Sequence, residues 1–331
     1  MAIIPHSKPT ITSADIRAVK NQVATGMIAS GVIVNQFEQA FLHYLNASTK
    51  EFALFTNSGT DALLLILQDL NITQGDEILL PSYVCPELLS PIRQLGAIPT
   101  YYDNAPSSWI TNVTEIKNKI TPHTKAIIVV HTFGIAVDFS PLLGNHIPII
   151  EDCAHALGTK QATGEHVGLL GDYALFSFHA TKCMTTGEGG MLISKSPIKN
   201  PQRTSAISAA LGLSQLQQFP TFLEKRNTLA NLYTKLLNIP KTYDERNWFR
   251  FPIQVNERFD DIHNIYASNN IAIRKGVDTL LHQAEGLSDS KFPHATHAFT
   301  HTISLPIYPT LRKKDVERIC NIFIKNNITL Y

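Results

Sequence analysis

The chain has 331 residues, of which 44% are hydrophobic, and its charge is nearly balanced: 28 Lys and Arg against 27 Asp and Glu. This length allows a large buried core and predicts two domains rather than one. The balanced charge predicts neither a nucleic-acid partner nor binding to an anionic membrane. No run reaches the ~18 apolar residues that a membrane span requires.

The N-terminal segment and the cysteines indicate the cellular compartment in which the protein is expected. Residues 1–20 lack the apolar core of a signal peptide. The four cysteines form no CxxC pair and no metal-ligand spacing, so no metal site is expected: they are Cys85, Cys153, Cys183 and Cys320. Sparse, unpaired cysteines are typical of a reducing environment. We therefore expect a soluble cytoplasmic protein.

The first two thirds of the chain alternate between strand-like and helical segments. Helices are predicted at 59–70 and about 86–95, and strands at 51–55, 76–80, 98–103, 125–131, 147–152, 174–178 and 189–194. Several of these strands are almost continuously apolar. Such strands, interleaved with helices, are typical of a mostly parallel sheet that is covered on both faces. The predicted fold class is α/β.

The remainder of the chain has a different character. Residues 203–237 show helical periodicity that we expect to be interrupted at Pro220. Two strand-like segments follow at 249–255 and 301–308, and the chain ends in a helical run. This pattern predicts a large α/β domain of residues 1–218 and a small C-terminal α+β domain of residues 219–331, with the boundary inside a long helical region.

Three segments carry residues suited to chemistry at the carboxyl ends of strands, where open α/β sheets bind ligands. The first is the turn Ser58-Gly59-Thr60, which leads from a strand into a helix. Backbone N–H groups at a helix N-terminus bind phosphate, and glycine permits close approach. An ordinary N-cap by Ser58 or Thr60 explains the same turn.

The second segment is IPIIEDCAH, in which Asp152 ends an apolar strand and His155 follows three residues later. A carboxylate in this position can pair with a buried cation such as a protonated pyridine nitrogen. A helix-capping Asp and a hydrogen-bonded structural His are the simpler interpretations.

The third segment is GDYALFSFHATKCMTTGEGG, in which a strand ends near Ser177 and Lys182 follows in a short loop. Apolar strands on both sides would partly desolvate this lysine, which lowers its pKa and makes it a usable nucleophile. A solvated loop lysine is the alternative. The order of the three segments is more specific than any one of them.

Together these segments resemble the DegT/StrS family of pyridoxal phosphate (PLP)-dependent nucleotide-sugar aminotransferases. The resemblance covers most of the chain, and its matching segments include NSGTDALLLIL, IIEDCAHALG, FSFHATKCMTTGEGG, AALGLSQL and LPIYP. The SGT, EDxAHxxG and SFxxxK…GEGG patterns within them, in this order, are specific to the family. It implies the aspartate-aminotransferase type of fold (fold type I), a bound PLP, and a homodimer with active sites at the subunit interface.

The resemblance also implies roles for individual residues. Lys182 corresponds to the lysine that carries PLP as a Schiff base, and Asp152 to the carboxylate that keeps the pyridine nitrogen protonated. His155 corresponds to a position beside the phenolic oxygen of the cofactor. The phosphate cradle corresponds to Ser58, Gly59, Thr60 and Ser177.

Two departures from the family pattern stand out. Cys85 occupies the position at which the family usually stacks an aromatic residue on the cofactor ring, and a thiol covers less of that ring. The family also has a long segment with an Asn that reaches the partner's cofactor phosphate. Here only residues 194–208 remain, and they hold no counterpart of that Asn.

The implied reaction moves an amino group from an amino acid, with glutamate as the expected donor, to a keto-sugar linked to a nucleotide, with ping-pong kinetics. A PLP-binding protein without transaminase activity and a pyridoxamine-phosphate-dependent sugar dehydratase are the alternatives. The second is disfavoured because such family members carry His in place of Lys182. Three further residues are candidates for the substrate pocket, each with a structural alternative: His131, His282 and Tyr308.

Overall fold

The computed structural model describes residues 3–240 and 246–331. Its strands are β1 Phe52–Thr56, β2 Glu77–Pro81, β3 Ile98–Tyr102, β4 Thr124–Val130, β5 Ile149–Asp152, β6 Tyr173–Ser177, β7 Gly190–Ser194, β8 Phe251–Gln254 and β9 Thr302–Leu305. Its helices are α1 Ser13–Ala24, α2 Val32–Leu45, α3 Gly59–Asp69, α4 Leu89–Gln94, α5 Val113–Lys119, α6 Ala206–Leu236, α7 Phe259–Ser268, α8 Leu281–Ala284, α9 Pro293–His301 and α10 Lys313–Lys325.

A seven-stranded sheet forms the centre of the molecule, in the order β1-β7-β6-β5-β4-β2-β3. The pairs from β6 through β5, β4 and β2 to β3 are parallel. β7 runs antiparallel to both of its neighbours, β6 and β1. The predicted α/β class and mostly parallel sheet are confirmed.

The apolar runs of the central strands are buried on both faces of this sheet. Within β4, Ile128 packs with α3 and α4, whereas Ile127 and Val129 pack on the opposite face with Ile116 of α5. Nearer to β1, the second face is covered by α2 and the first half of α6. Two-sided burial explains why these strands are continuously apolar instead of alternating.

The predicted interruption at Pro220 is wrong, because α6 continues through this residue as one helix of 31 residues. Pro220 lies on the exposed side of the helix, and its missing N–H costs the helix only the hydrogen bond to the carbonyl of Leu216. Phe219 and Phe222, on either side of it, are buried in the core beneath the sheet. Burial of these two rings stabilises the helix on both sides of Pro220.

A second, smaller core surrounds the antiparallel pair β8-β9. It includes α7, α10, the last turns of α6 and Ile4 from the N-terminal segment. Residues 277–298, although late in the chain, instead contribute to the core around α3 and α4. The division into residues 1–218 and 219–331 stays a prediction.

No helix within the two described ranges has the length and apolar character needed to cross a bilayer.

Candidate active site

The candidate residues meet at one edge of the large sheet. Asp152 and Ser177 end the neighbouring parallel strands β5 and β6. Gly190, the first residue of antiparallel β7, pairs with Ser177 on one side and with Thr56 on the other. Thr56 ends β1, two residues before Ser58. The strand order therefore brings the turn at Ser58 next to Ser177.

The turn before α3 has the geometry of a helix cap and of an anion site at once. The Ser58 hydroxyl accepts a hydrogen bond from the N–H of Asp61 at 2.9 Å, as an N-cap does. Gly59 faces Ser177, since a Cβ on Gly59 would lie 3.3 Å from the Cβ of Ser177. The first N–H groups of a helix lack intrahelical acceptors. Those of Gly59 and Thr60 therefore remain suited to an anion beside Ser177.

Asp152 is 5% exposed at the end of β5. Its Oδ1 accepts a hydrogen bond from the N–H of Ala154 at 2.9 Å, and its Oδ2 accepts none from the described residues. Burial raises the pKa of Asp152, while the Ala154 N–H and the charges of Lys182 and His131 act in the opposite direction. The second oxygen of this buried residue is therefore suited to a cationic N–H group.

Lys182 lies in the loop between β6 and β7. Its N–H donates to the carbonyl of His179 at 2.9 Å. The base of the loop is closed by two further bonds, from the N–H of Phe178 to Gly189 at 2.8 Å and from the N–H of Thr186 to Phe178 at 3.0 Å. The loop is therefore held at both ends on the sheet edge that carries Asp152.

The Lys182 amine is electrostatically coupled to this edge. Burial lowers the pKa of Lys182, whereas the charges of Asp152 and Cys85 raise it. The residue is half-buried, in contrast to the solvated lysine that was the alternative from the sequence. A lowered pKa increases the fraction of free amine near neutral pH, which is what a nucleophilic lysine needs.

His155 is half-buried and lies between two aromatic rings. Its imidazole stacks on Phe249 with 4.2 Å between ring centroids, and Phe133 lies parallel to it at 6.2 Å. Burial, together with the positive charges of Lys182 and Arg250, holds the pKa of His155 well below its usual value. His155 is therefore a neutral imidazole next to Lys182.

Cys85 is exposed at the open side of the same site, at the start of a short turn before α4. Partial desolvation of the thiol raises its pKa, the N–H of Glu87 and the charge of Lys182 lower it, and Asp152 raises it. Because the Cys85 thiol is electrostatically coupled to both Lys182 and Asp152, we include it among the candidate site residues. Position 85, at which this chain departs from the family pattern, is thus electrostatically coupled to both candidate catalytic residues.

Two family-model matches cover residues 9–203 and 198–324, so that nearly the whole chain, including both sheets, lies within them. The model is that of the DegT/DnrJ/EryC1/StrS aminotransferase family. The chain belongs to this family. The family and the function class that the sequence motifs indicated are confirmed.

Individual relatives of this aminotransferase match it over nearly its whole length. GDP-perosamine synthase from Escherichia coli O157:H7 is 29% identical and is aligned over 97% of both chains. The spore coat polysaccharide biosynthesis protein SpsC from Bacillus subtilis (strain 168) is 27% identical over 96% of this chain and 95% of its own. The putative sugar aminotransferase Spr1654 from Streptococcus pneumoniae, solved in its PLP form, superposes with a TM-score of 0.89 at 26% identity, over 97% of each chain.

The aminotransferase uses PLP, and the sheet edge fits this cofactor at three points. The N-terminus of α3 with Ser177 suits the phosphate, because it offers N–H groups and a hydroxyl. The free oxygen of Asp152 suits a protonated ring nitrogen. The Lys182 amine, with its lowered pKa, suits the aldehyde carbon. The fold type I architecture inferred from the sequence is confirmed by the solved relatives.

The sequence motifs did not identify Phe249 or Arg250 as parts of this site. The centroid of the Phe249 ring lies 4.8 Å from Nζ of Lys182. Arg250 donates from Nη1 to the carbonyls of Lys275 and Gly276, at 3.0 and 2.9 Å. Burial lowers the pKa of its guanidinium. Both residues stand 67 or more positions from Lys182, and no local spacing signals such a contact.

His131, a candidate for the substrate pocket, is instead fully buried in a structural network. Its Nε2 lies 2.9 Å from a carboxylate oxygen of Glu151, and its Nδ1 accepts from the N–H of Val137. Glu151 also accepts from the N–H groups of Gly168, Leu170 and Gly171. Ligand-type atoms of His131, Glu151 and Cys153 lie within 4.8 Å of one another. Both ring nitrogens of His131 and both carboxylate oxygens of Glu151 already take part in the hydrogen bonds described above.

His282 and Tyr308 are both buried. His282 bonds the hydroxyl of Ser82 through Nδ1 at 2.5 Å and Asp289 through Nε2 at 3.0 Å, so the solvent-exposed alternative for His282 is wrong. Tyr308 belongs to the small core around β8 and β9, which was its structural alternative. Its side chain also lines a surface cavity together with Arg312 and Lys8.

Proposed function

We propose that this aminotransferase moves an amino group from an amino acid to a keto-sugar linked to a nucleotide. The proposal rests on the position of Lys182 and Asp152 at the same end of the sheet as the turn Ser58-Gly59-Thr60. Because the N–H groups of this turn suit a phosphate, we call it the phosphate-type turn. The sugar is inferred from relatives, because GDP-perosamine synthase and Spr1654 are named for sugar substrates. Glutamate is the proposed amino donor.

Each residue at the edge has a proposed task. Bound PLP supplies an electron-accepting ring and a carbonyl carbon for reaction with amines. Lys182 bonds to the cofactor through Nζ and, when free, moves a proton as a general base. Asp152 holds the proton on the ring nitrogen. Ser58, Gly59, Thr60 and Ser177 bind the phosphate, and neutral His155 orients the ring's oxygen side.

The proposed enzyme is a cytoplasmic homodimer. Large apolar side chains are exposed on α1, on the segment that follows it and at the first residue of α2: Ile16, Val23, Met27, Ile28 and Val32. Ile16 and Val23 are seven residues apart and therefore share one helix face. Association of a second copy would remove this surface from water. We expect Ile16→Lys to convert dimer to monomer in sedimentation velocity, and Ile324→Lys, at an exposed position of α10, to leave the dimer intact.

Two alternatives are less well supported. A sugar dehydratase of this family would replace the lysine, and Lys182 is present. A non-catalytic PLP-binding protein would not need an amine with a lowered pKa beside a buried acid. A panel of amino donors separates these outcomes. Glutamate should change the visible absorption of the bound cofactor and release 2-oxoglutarate, whereas a non-catalytic protein would leave the spectrum unchanged with every donor.

The cofactor assignment has its own test. Borohydride reduction of the PLP-loaded protein should attach the cofactor mass to the peptide that contains Lys182. Lys182→Ala should prevent this attachment, and Lys195→Ala, at an exposed lysine, should not affect it. Attachment at another lysine in the Lys182→Ala protein would overturn the assignment.

A further inference from the structure

Phe249 is a buried aromatic residue that the chain holds rigidly beside the active site. It lies just before β8 and is 6% exposed. The buried Arg226 of α6 donates from Nη1 to the carbonyls of Trp248 and Phe249, at 2.9 and 3.4 Å, and to that of Ile307 at 3.0 Å. These three bonds fix the backbone of Phe249 between the long helix and the loop that follows β9.

The ring of Phe249 contacts two residues of the proposed site at once. The Lys182 ammonium lies over it, with 4.8 Å from Nζ to the ring centroid, within the range of a cation–π interaction. The imidazole of His155 stacks on it at 4.2 Å and 19°. Phe249 therefore restricts the position of the amine and the plane of the imidazole together.

The charged groups around Lys182 oppose one another. Asp152, Cys85 and Cys183 favour the ammonium form, whereas burial and Arg250 disfavour it. His155 is neutral and adds no charge. The face of an aromatic ring attracts a cation through its quadrupole without carrying a charge that would disturb Asp152 or an anionic ligand.

We propose that Phe249 is a positioning residue for Lys182: its ring holds Nζ at the site that also contacts His155, and it favours the ammonium form of Lys182. The catalytic consequence of this proposal rests on the proposed function of Lys182. Whenever Lys182 is not bonded to the cofactor, the ring would stabilise its ammonium form, so Nζ has to give up that proton before it can act as a base or a nucleophile. The ring tunes the balance between these two states.

The experiment measures the pKa of Lys182 directly in the cofactor-free protein. Competitive labelling with acetic anhydride across a pH series, read by mass spectrometry of the Lys182 peptide, reports the free-amine fraction. Phe249→Leu removes the ring and keeps an apolar side chain that excludes water. It should lower this pKa by about 0.5–1.5 units, the range that corresponds to a lost cation–π contact. Phe249→Tyr keeps the ring and should leave the pKa within about 0.3 units of wild type.

A matched control distinguishes loss of the Phe249–Lys182 contact from a general loosening of the core. Phe251→Leu removes another buried ring close by, one that stacks on Tyr233 and Trp248. It should leave the Lys182 pKa unchanged, even if the melting temperature falls. Should Phe249→Leu not fold, Phe249→Met provides a second ring-free variant of similar size.

An unchanged or raised Lys182 pKa in the folded ring-free variant overturns the proposal, and so does an equal drop in Phe251→Leu. The result does not depend on transaminase activity, because it is obtained without cofactor or substrate. If borohydride labelling or the donor panel failed while the pKa shift was observed, the proposed function would be wrong and the Phe249–Lys182 contact would stand.

Discussion

Gly190 packs against the carbonyl group of Ser58 so closely that a side chain cannot fit between them. A Cβ at position 190 would lie 2.6 Å from both the carbonyl carbon and the carbonyl oxygen of Ser58, and 2.7 Å from the nitrogen of Gly59. All three are backbone atoms at the start of α3. The first residue of β7 thus sets how near the phosphate-type turn lies to the strand that ends at Ser177.

We expect Gly190→Ala to displace this turn. Overpacking of this kind costs about 1–3 kcal/mol, and here the displaced atoms belong to the proposed phosphate cradle. The variant should melt at a lower temperature and bind PLP at least ~10-fold more weakly, which corresponds to about 1.4 kcal/mol. Gly31→Ala is the control, because its Cβ would have only Met27 at 3.9 Å. Equal PLP affinity in the two variants would contradict this account of the cradle.

Asp152→Asn should separate cofactor retention from turnover. The Asn side chain has the same shape as Asp and can still accept the hydrogen bond from the Ala154 N–H. It carries no negative charge, however, and so cannot hold a proton on the ring nitrogen of the cofactor. We expect kcat to fall by about 10²–10⁴-fold, with PLP still bound. Asp138→Asn, at an exposed acid, should retain wild-type kcat. Near-normal turnover of Asp152→Asn would remove its proposed role.

The same substitution has a predicted effect on the stability of the cofactor-free protein. The pKa of Asp152 is raised in the folded state by burial, so the folded protein binds more protons than the unfolded one. Ionisation of Asp152 therefore lowers stability as pH rises from the unfolded pKa through the folded pKa. We expect cofactor-free Asp152→Asn to melt at or above the wild-type temperature at pH 8. A lower melting temperature there would show that the carboxylate stabilises the fold.

Glu151 should contribute stability rather than chemistry. Burial acts to raise its pKa, but hydrogen bonds from His131, Gly171 and Gly168 and the charge of His131 outweigh it, and the pKa is lowered. The contribution is present above the unfolded pKa, about 4.3, and is lost as pH falls through the folded value. Breaking a buried pair costs about 3–5 kcal/mol.

Urea unfolding of Glu151→Gln tests this expectation. The free energy of unfolding should drop by about 3–5 kcal/mol at pH 7, and the difference from wild type should narrow below about pH 4. Glu165→Gln, at an exposed position, should change it by less than about 0.5 kcal/mol. A difference that stayed constant with pH would mean that the charge of Glu151 is not what stabilises the fold.

Cys85→Phe tests whether position 85 covers the cofactor ring. An aromatic pair is worth about 0.5–1.5 kcal/mol beyond its buried area. The variant should therefore release PLP roughly 2–10-fold more slowly, as followed by absorbance after dilution, while Cys85→Ala should match or exceed the wild-type release rate. If Phe and Ala had the same effect, residue 85 would not lie over the ring.

Local patterns in the sequence were sufficient for much of the fold and for the family. The continuous apolar runs predicted the strands of the large sheet within one or two residues, because a strand buried on both faces needs apolar side chains at every position. The motifs around Ser58, Asp152 and Lys182 identified the family and, through it, the cofactor. These signals are local: each lies within a stretch of about twenty residues.

Tertiary packing determined the rest. Helix α6 continues through Pro220 because Phe219 and Phe222 are buried against the sheet, which outweighs the lost hydrogen bond. The partners of His131 and the placement of Phe249 beside Lys182 come from segments far apart in the chain. By itself the sequence determined which segments form strands and which family the chain belongs to. Only the packing of those segments decided the neighbours of each residue, because burial of distant surfaces against one another is not encoded in any local pattern.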